Sequence, residues 1–347
     1  MLKICKCSFL YAIINKKVLI MTIYDIAKAA GVSASTVSRV LNNRPGINKK
    51  TRDKVLHIID ESNFSVSEAA RGLVNKNSNM VGILVSDIRN QHHIEGAYMI
   101  SQHLVERGYC SILMNAGENN ESKAQYVKFL ASRRVNALVL IGSTFQCEEV
   151  ENAIAMFMSK IPVIFQNGYF DLPNVSSVVA DELFGTMEAV SYLYSHGRRK
   201  IAYINNNDTP SNMKKIKGYE IAIEERNLLE YIIPSCHDSA EGGAEATERL
   251  LAEHPDVDAI IYSVDILGVG GSRYLLDIGK KIPDDIALIG MDNSPYSKIS
   301  NPRLSTIDNK LGELSKRCYE ILMKAIEDRS YVEHHVVLPS LVIRETT

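Results

Sequence analysis

The chain is 347 residues long, 46% of its residues are apolar, and its formal net charge is −2. This length and composition can bury two or three hydrophobic cores, which argues against an intrinsically disordered protein. The charge is unevenly distributed, because residues 22–79 carry an excess of Lys and Arg and the residues after Asn79 are acidic. A basic N-terminal segment on an acidic body indicates that only the N-terminal part meets a polyanion.

Residues 1–21 are predicted to be an N-terminal extension that is either disordered or misannotated, and Met21 is the better translation start, which would leave residues 1–20 untranslated. Lysines followed by a short apolar run at residues 8–14 weakly resemble a secretory signal, but the run lacks a small-x-small cleavage site. No segment approaches the ~18 to 20 apolar residues that a membrane span requires. The six cysteines have neither disulfide-framework nor zinc-site spacing. We therefore expect a cytoplasmic protein with reduced thiols and without a metal or cofactor.

Residues 22–66 have the pattern of a small helical domain. Thr22 and Asp25 have the spacing of a capping box, and apolar residues then recur at helical intervals until Gly31. A glycine can adopt the left-handed conformation of a sharp reversal, after which Ser33 is placed to cap a second helix.

A third helix is predicted from Asn48 to Ser62. Its inward-facing residues are expected to be Val55, Leu56 and Ile59. Two short helices joined by a glycine turn are typical of the helix-turn-helix, whose second helix enters the major groove of DNA. An ordinary helical bundle is the alternative. The small polar residues and Arg39 on the outer face of the second helix favour DNA binding, because Arg commonly contacts guanine or phosphate.

The run D-I-A-K-A-A-G-V-S-A-S-T-V-S-R-V-L-N, residues 25–42, closely resembles the LacI/GalR family of bacterial transcriptional regulators, and the resemblance extends nearly to the C-terminus. It implies a homodimer that binds double-stranded DNA at a palindromic operator. The DNA-binding residues that it implies are Thr22, Tyr24, Ser33, Ala34, Ser35, Thr36, Ser38, Arg39, Asn42, Thr51, Ala70 and Leu73. Of these, Ala34 and Ser35 would read bases, and their small size leaves part of the specificity to Arg39 and to DNA shape.

Residues 67–79 are predicted to be a hinge. In the family this segment becomes a helix on DNA and inserts a leucine into the minor groove, and Leu73 holds that position beside Ala70. Such an apolar wedge unstacks a base step and bends the duplex. The usual Tyr-x-Pro-Asn before the hinge is Phe64-Ser65-Val66-Ser67 here, so Ser67 would have to cap the hinge helix.

Residues 80–347 alternate apolar runs with helical segments, which predicts parallel sheets covered on both faces. Two such sets make two doubly wound α/β lobes. The resemblance implies the type I architecture of periplasmic binding proteins, with the chain crossing between lobes near Tyr169, near Pro295 and just past Asp328.

A two-lobed α/β protein is expected to clamp a ligand at the carboxyl ends of its strands. The family's pocket positions imply these effector-binding residues: Ser86, Asn90, His92, His93, Gln166, Asn167, Lys215, Asp265, Asp292 and Asn309. Asp292 is the strongest candidate, since carboxylates pair well with sugar hydroxyls. The implied effector is a sugar or sugar phosphate, and a purine is the alternative. Departures from the family at Gln91, at His92 and His93, and at Val264 leave the effector's identity open.

Two other classes compete with a regulator of carbohydrate-utilisation genes. An α/β enzyme would require a phosphate loop, a G-x-G-x-x-G turn after a strand or a G-x-S-x-G elbow, and the sequence has none. The glycine-rich run at residues 267–271 falls inside a predicted helix. A secreted solute receptor would require a credible signal peptide and would lack the helix-turn-helix. The sequence thus predicts a repressor that an effector releases from, or loads onto, its operator, and no enzymatic activity.

Overall fold

The computed structural model describes residues 21–41, 44–62, 78–235 and 237–347. They divide into two compact units, one ending at Ser78 and the other running from Asn79 to Thr347. We call the first unit the head and the second the body. Within the described ranges, no helix is long and apolar enough to cross a membrane.

The head contains the three predicted helices, which the structure confirms. They are α1 (Ile23–Ala30), α2 (Ala34–Leu41) and α3 (Lys49–Glu61). Thr22 and Asp25 form the capping box at the start of α1, and Gly31 ends that helix with φ +70°. The amide of Thr36 donates to the Ser33 hydroxyl at 3.2 Å, so Ser33 caps α2 as expected.

The head core is built from one apolar face of each helix. Ile26, Val37 and Val55 are fully buried in it. Leu56 was expected to face inward, but its side chain is 42% exposed. The reason is the helix geometry. Leu56 is one residue after Val55 and therefore points about 100° away from it around the helix, whereas Ile59 is four residues after Val55 and lies on the same face.

The body consists of two α/β lobes, as predicted, each with a six-stranded sheet. The strands of lobe 1 are β1 (Met80–Val85), β2 (Cys110–Asn115), β3 (Ala137–Ile141), β4 (Val163–Gln166), β5 (Val175–Ala180) and β11 (His334–Val337). Their order across the sheet is β11-β5-β4-β3-β1-β2, and every pair is parallel. Its helices are α4 (Gln91–Glu106), α5 (Asn120–Ser132), α6 (Glu148–Phe157) and α12 (Leu311–Glu327).

Lobe 2 repeats this arrangement. Its strands are β6 (Ile201–Asn205), β7 (Ile232–Pro234), β8 (Ala259–Tyr262), β9 (Ala287–Met291), β10 (Ser305–Asp308) and β12 (Ser340–Val342). The order is β12-β10-β9-β8-β6-β7, and only the β10–β12 pair is antiparallel among the strands described. Its helices are α7 (Glu182–Ser195), α8 (Pro210–Glu224), α9 (Ala240–Glu253), α10 (Asp265–Asp277) and α11 (Pro295–Ile299).

The chain passes between the lobes three times, but not where the sequence predicted. The passages lie between β5 and α7, between β10 and α12, and between β11 and β12. The predictions near Tyr169, near Pro295 and just past Asp328 are therefore wrong. Each passage is one or two residues long and adjoins a strand end, so it has no composition that would distinguish it from an ordinary turn.

Candidate functional site

The outer face of α2 carries small polar side chains and one cation. Ser35 and Arg39 are exposed, whereas Ala34 is half-buried against the head core. The Ser33 hydroxyl lies 2.8 Å from that of Ser35 and 2.9 Å from that of Thr36. This hydrogen-bonded cluster fixes the hydroxyls at the start of α2, where a recognition helix meets base edges.

The other predicted DNA contacts of the head surround this helix. Tyr24 is 74% exposed, and Thr51 is half-buried in the first turn of α3. The Thr22 hydroxyl donates to the Asp25 carboxylate at 2.6 Å. The backbone amide of Thr22 donates to the same carboxylate, and the two hydrogen bonds together lower the pKa of Asp25. Ser38 is half-buried on α2. The remaining predicted contacts, Asn42, Ala70 and Leu73, lie outside the described residues, as does the hinge up to residue 77.

A cleft between the two lobes of the body lies at the carboxyl ends of both sheets. It contains a cavity of about 810 Å³, a size that suits a small metabolite. Seven of the predicted effector residues line this cavity: Ser86, Asn90, His92, His93, Asn167, Lys215 and Asp292. A second cavity of about 580 Å³ adjoins it, and the two share Asn90, His92 and Asp292. We call the two cavities the larger and the smaller chamber.

Asp292 stands where the two chambers meet and follows directly after β9. Its φ is +99°, an uncommon conformation for a residue with a side chain, and such strain often marks a functional position. Its Oδ1 accepts a hydrogen bond of 3.0 Å from Asn309 Nδ2 and lies 3.7 Å from Nδ1 of His92 on lobe 1. Asp292 therefore takes part in one of the contacts that bridge the lobes.

A second contact between the lobes also involves residues that line the larger chamber. The amide of Ser211, on lobe 2, donates to the Ser143 hydroxyl on lobe 1 at 3.1 Å. Nearby, Lys215 is only 4% exposed; its Nζ donates to the Ser263 carbonyl at 3.1 Å and lies 3.8 Å from Glu182 Oε1. The predicted cation is thus present in the cleft, but it already has a carboxylate partner.

His93 lines the larger chamber and packs against another lining residue, Gly142. An added Cβ on Gly142 would lie 2.7 Å from the imidazole ring. Burial, together with the neighbouring His92, lowers the pKa of His93 to about 4. The imidazole is therefore neutral at pH 7 and offers one donor and one acceptor.

Asp265 lines the smaller chamber, but its carboxylate is committed to the protein. It is 1% exposed and occupies the first position of α10. Its oxygens accept hydrogen bonds from the Ser294 amide and hydroxyl and from the Thr306 hydroxyl. These bonds tie the loop after β9 to α10, so Asp265 positions the loop that carries Asp292.

Burial, with a smaller contribution from the charge of Asp292, raises the pKa of Asp265 to about 7. Because the native state holds this proton and the unfolded chain releases it near pH 4, stability of the body should fall as pH rises from about 4 to about 7. The predicted loss is at most about 4 kcal/mol. Denaturant titrations at pH 5 and pH 8 should show a smaller pH effect in Asp265→Asn than in the wild type or in Asp284→Asn, an exposed control. Equal pH effects in all three proteins would contradict the assignment.

Two predicted effector residues do not line either chamber. Gln166 is fully buried at the end of β4, close to α4, where a Cβ on Gly96 would lie 3.0 Å from its Nε2. Asn309 is 1% exposed and lies behind Asp292, to which it donates. Asn309 is therefore placed to orient Asp292 rather than to touch a ligand. Among the described residues, no group of three His, Cys, Asp or Glu side chains could hold a metal ion.

Sequence reasoning missed much of the polar lining. The larger chamber is also lined by Asp87, Arg89, Glu118, Ser143, Thr144, Glu182, Asn206, Asn207, Thr209, Ser211, Asn212, His237, Asp238 and Ser239. Most of these residues follow strand ends, which is the signal that could have found them. Asp238 follows β7, a strand of only three residues. Although its side chain opens to the cleft, partial dehydration raises the pKa of Asp238, as does the charge of Asp292.

Two family models match the chain. Bacterial regulatory proteins of the lacI family match residues 22–67, and a periplasmic binding protein-like domain matches residues 190–347. Among solved structures, the Lac repressor dimer bound to operator and an anti-inducer shares the fold, with a TM-score of 0.85 at 23% identity. That match covers 94% of this chain and 99% of the other.

Curated relatives match over nearly their full length. An HTH-type transcriptional regulator of Lachnoclostridium phytofermentans is 31% identical over 331 residues, which are 94% of this chain and 99% of that protein. The ribose operon repressor of Halalkalibacterium halodurans is 30% identical, with 94% and 97% covered. With a helix-turn-helix head, a two-lobed body and these relatives, the chain belongs to the LacI family of bacterial regulatory proteins.

Proposed function

We propose that this chain is a homodimeric transcriptional repressor whose affinity for a palindromic operator is set by a small molecule in the interlobe cleft. The observation that carries the proposal is the exposed polar face of α2, with Ser35 and Arg39, on a chain whose body encloses a metabolite-sized cavity. Relatives named as a transcriptional regulator and a repressor support it and support a role without enzymatic activity. The cytoplasm is the compartment in which such a protein would meet DNA.

Each predicted DNA contact has a role in this proposal. Ala34 and Ser35 approach base edges, and Arg39 reads guanine or binds phosphate beside them. The contacts that position the head on phosphates are Thr22, Tyr24, Asn42 and Thr51, with the hydroxyls of Ser33, Thr36 and Ser38 beside the recognition face. In the hinge, Leu73 with Ala70 would form the wedge in the minor groove.

Dimerisation follows from how little DNA one head can read. A single recognition helix contacts only a few base pairs, whereas two heads about 34 Å apart can read the two halves of a palindrome in successive turns of the major groove. A homodimer is also the state in which two hinge segments can meet at the centre of the operator.

A sugar is the effector class that the cleft favours. Its lining is rich in carboxylates, amides and hydroxyls, which pair with ring hydroxyls. Of the described residues that line the larger chamber, none is Phe, Tyr or Trp, so a purine would find none of the large aromatic rings that favour stacking. A relative named for the ribose operon adds support for a sugar. The effector either releases the repressor or loads it onto the operator.

The function is tested by measuring DNA affinity and its loss in Arg39→Ala. An inverted-repeat duplex selected from a random library is compared with a scrambled duplex by fluorescence anisotropy, at about 50 and 200 mM salt. The wild type should prefer the inverted repeat and bind both duplexes more weakly at high salt. Arg39→Ala should lose about 1 to 3 kcal/mol of this discrimination, because a bidentate contact to guanine is lost.

Lys54→Ala is the matched control, since Lys54 is an exposed cation on α3 rather than on α2. It should weaken binding to both duplexes equally. An equal loss in Arg39→Ala would assign Arg39 to a phosphate instead of a base. Absence of any salt-sensitive preference for an inverted repeat would overturn the proposed function.

A further inference from the structure

We propose that the effector is a sugar or similar polyol that carries a protonated amine, and that the cleft rejects phosphorylated and other anionic sugars. This inference rests on the proposed function, in which the interlobe cleft is the effector site, and it names the class of ligand. It replaces the broader expectation of a sugar or sugar phosphate.

The first reason is the balance of charge inside the cleft. The larger chamber is lined by the carboxylates Asp87, Glu118, Glu182, Asp238 and Asp292 and by the cations Arg89 and Lys215. Both cations are already paired. Arg89 donates to both oxygens of Asp87 at 2.6 to 3.0 Å, and Lys215 lies beside Glu182. The other three carboxylates therefore face the chamber without a Lys or Arg partner in the described part of the chain.

The smaller chamber has the same imbalance. It adds the carboxylates Glu95, Asp308 and Glu313 and the lysines Lys298 and Lys310. Asp265 also lines this chamber, but its oxygens are bonded to Ser294 and Thr306. Lys310 pairs with Asp308 at 3.2 Å. Asp238 and Asp292 line both chambers, so the unbalanced negative charge is concentrated where the chambers meet. A cation bound there gains attraction from two carboxylates, whereas an anion is repelled by both.

The second reason concerns the helix N-termini at the larger chamber. Helix N-termini bind anions through free backbone amides, and α4, α8 and α9 start at this chamber. In each of these helices a side chain already accepts a hydrogen bond from one first-turn amide. Asn90 accepts from the His93 amide at 3.1 Å, Thr209 from that of Asn212 at 3.4 Å, and Ser239 from that of Gly242 at 3.1 Å.

The third reason is a set of buried polar groups that lack partners and line the larger chamber. The Thr144 hydroxyl is buried and has no hydrogen-bond partner among the residues described. His92 Nε2 and His93 Nδ1 are likewise buried and unbonded within the described ranges. Buried polar atoms require partners, and the hydroxyls of a polyol would supply them. The cleft thus combines buried hydrogen-bonding groups for hydroxyls with a separate pair of carboxylates for a cation.

The inference is tested with matched sugars that differ only in charge. Isothermal calorimetry at pH 7 compares glucose, glucosamine, N-acetylglucosamine and glucose 6-phosphate, and the corresponding galactose and mannose series. In at least one series the amino sugar should bind about tenfold or more tightly than its neutral parent and its N-acetyl form, equal to about 1.4 kcal/mol. The phosphate should bind more weakly than the neutral parent.

Asp238→Asn should reduce the preference for the amine to within about threefold, because it removes one of the two carboxylates. Glu188→Gln should leave the preference for the amine intact. It makes the same charge change at an exposed position on α7 that does not line the cleft. Tighter binding of a phosphate, equal binding of amino and N-acetyl sugars, or no binding of any amino sugar would overturn the inference. Operator binding, measured on the same proteins, reports separately on the proposed function and should be unaffected by each of these outcomes.

Discussion

Asp292→Ala is expected to bind the operator as the wild type does and to lose its response to effector. The carboxylate lies where the chambers meet, is held by Asn309, and contacts His92 on the other lobe. A ligand that bonds to Asp292 therefore acts directly on a contact between lobes. To move the operator from nearly full to nearly empty, the effector must prefer one conformation by ~10⁴-fold, about 5.5 kcal/mol. Without this carboxylate, we expect almost all of that preference to disappear.

The measurement is operator affinity with and without the tightest-binding sugar of the calorimetric panel. Glu188→Ala is the control, since it removes a carboxylate from the exposed face of α7. A wild-type response in Asp292→Ala would show that the effector acts elsewhere. The effector response of Asn309→Ala should be intermediate between those of the wild type and Asp292→Ala. This variant removes the side chain that orients the carboxylate but not the carboxylate itself.

Ile26→Ala should unfold most of the head and leave the body folded. Ile26 is fully buried in the head core, and removing such a side chain costs about 2 to 5 kcal/mol. A domain of roughly 45 residues has little more stability than this to lose. Since only folded heads bind, the apparent operator Kd should rise about tenfold or more. Because the head and body are separate compact units, the thermal transition of the body should not move.

Leu56→Ala provides the matched comparison for Ile26→Ala. It makes a similar truncation in the same domain, but the Leu56 side chain is 42% exposed and should cost far less. Operator affinity should therefore stay within about threefold of the wild type. Equal losses in the two variants would mean that Leu56 is buried by DNA or by a second subunit.

Local signals in the sequence predicted the fold well where they were strong. Local residues determine the capping box at Thr22, the turn at Gly31 and the cap at Ser33, so each could be predicted from a few neighbouring positions. Long apolar runs likewise predicted the central strands of both sheets. The lobe crossings could not be predicted in this way, because whether a chain continues in one sheet or joins another depends on packing between distant segments.

The lining of the cleft was predicted only in part, because strand ends are local signals whereas the contacts of the side chains depend on distant segments. Strand ends identified Asp292 and Asn167, which line the larger chamber, but could not show that Asn309 lies behind Asp292 or that Gln166 points into lobe 1. Asp265 also follows a strand, yet its oxygens are taken by Ser294 and Thr306. Those partners are 29 and 41 residues away, so only the folded chain reveals them.

The passage from β10 to α12 has a consequence for biosynthesis. The core of lobe 1 includes Leu314, Cys318 and Ile321 from α12 and Val337 from β11, which the ribosome adds long after β5 is complete. At 5 to 20 residues per second, the first five strands of lobe 1 wait roughly 7 to 30 s for these segments. During that interval a nascent chain exposes apolar surface that only its own C-terminal part can cover. Chaperone demand should therefore peak late in translation, and truncation near residue 310 should yield an aggregating polypeptide rather than a free lobe.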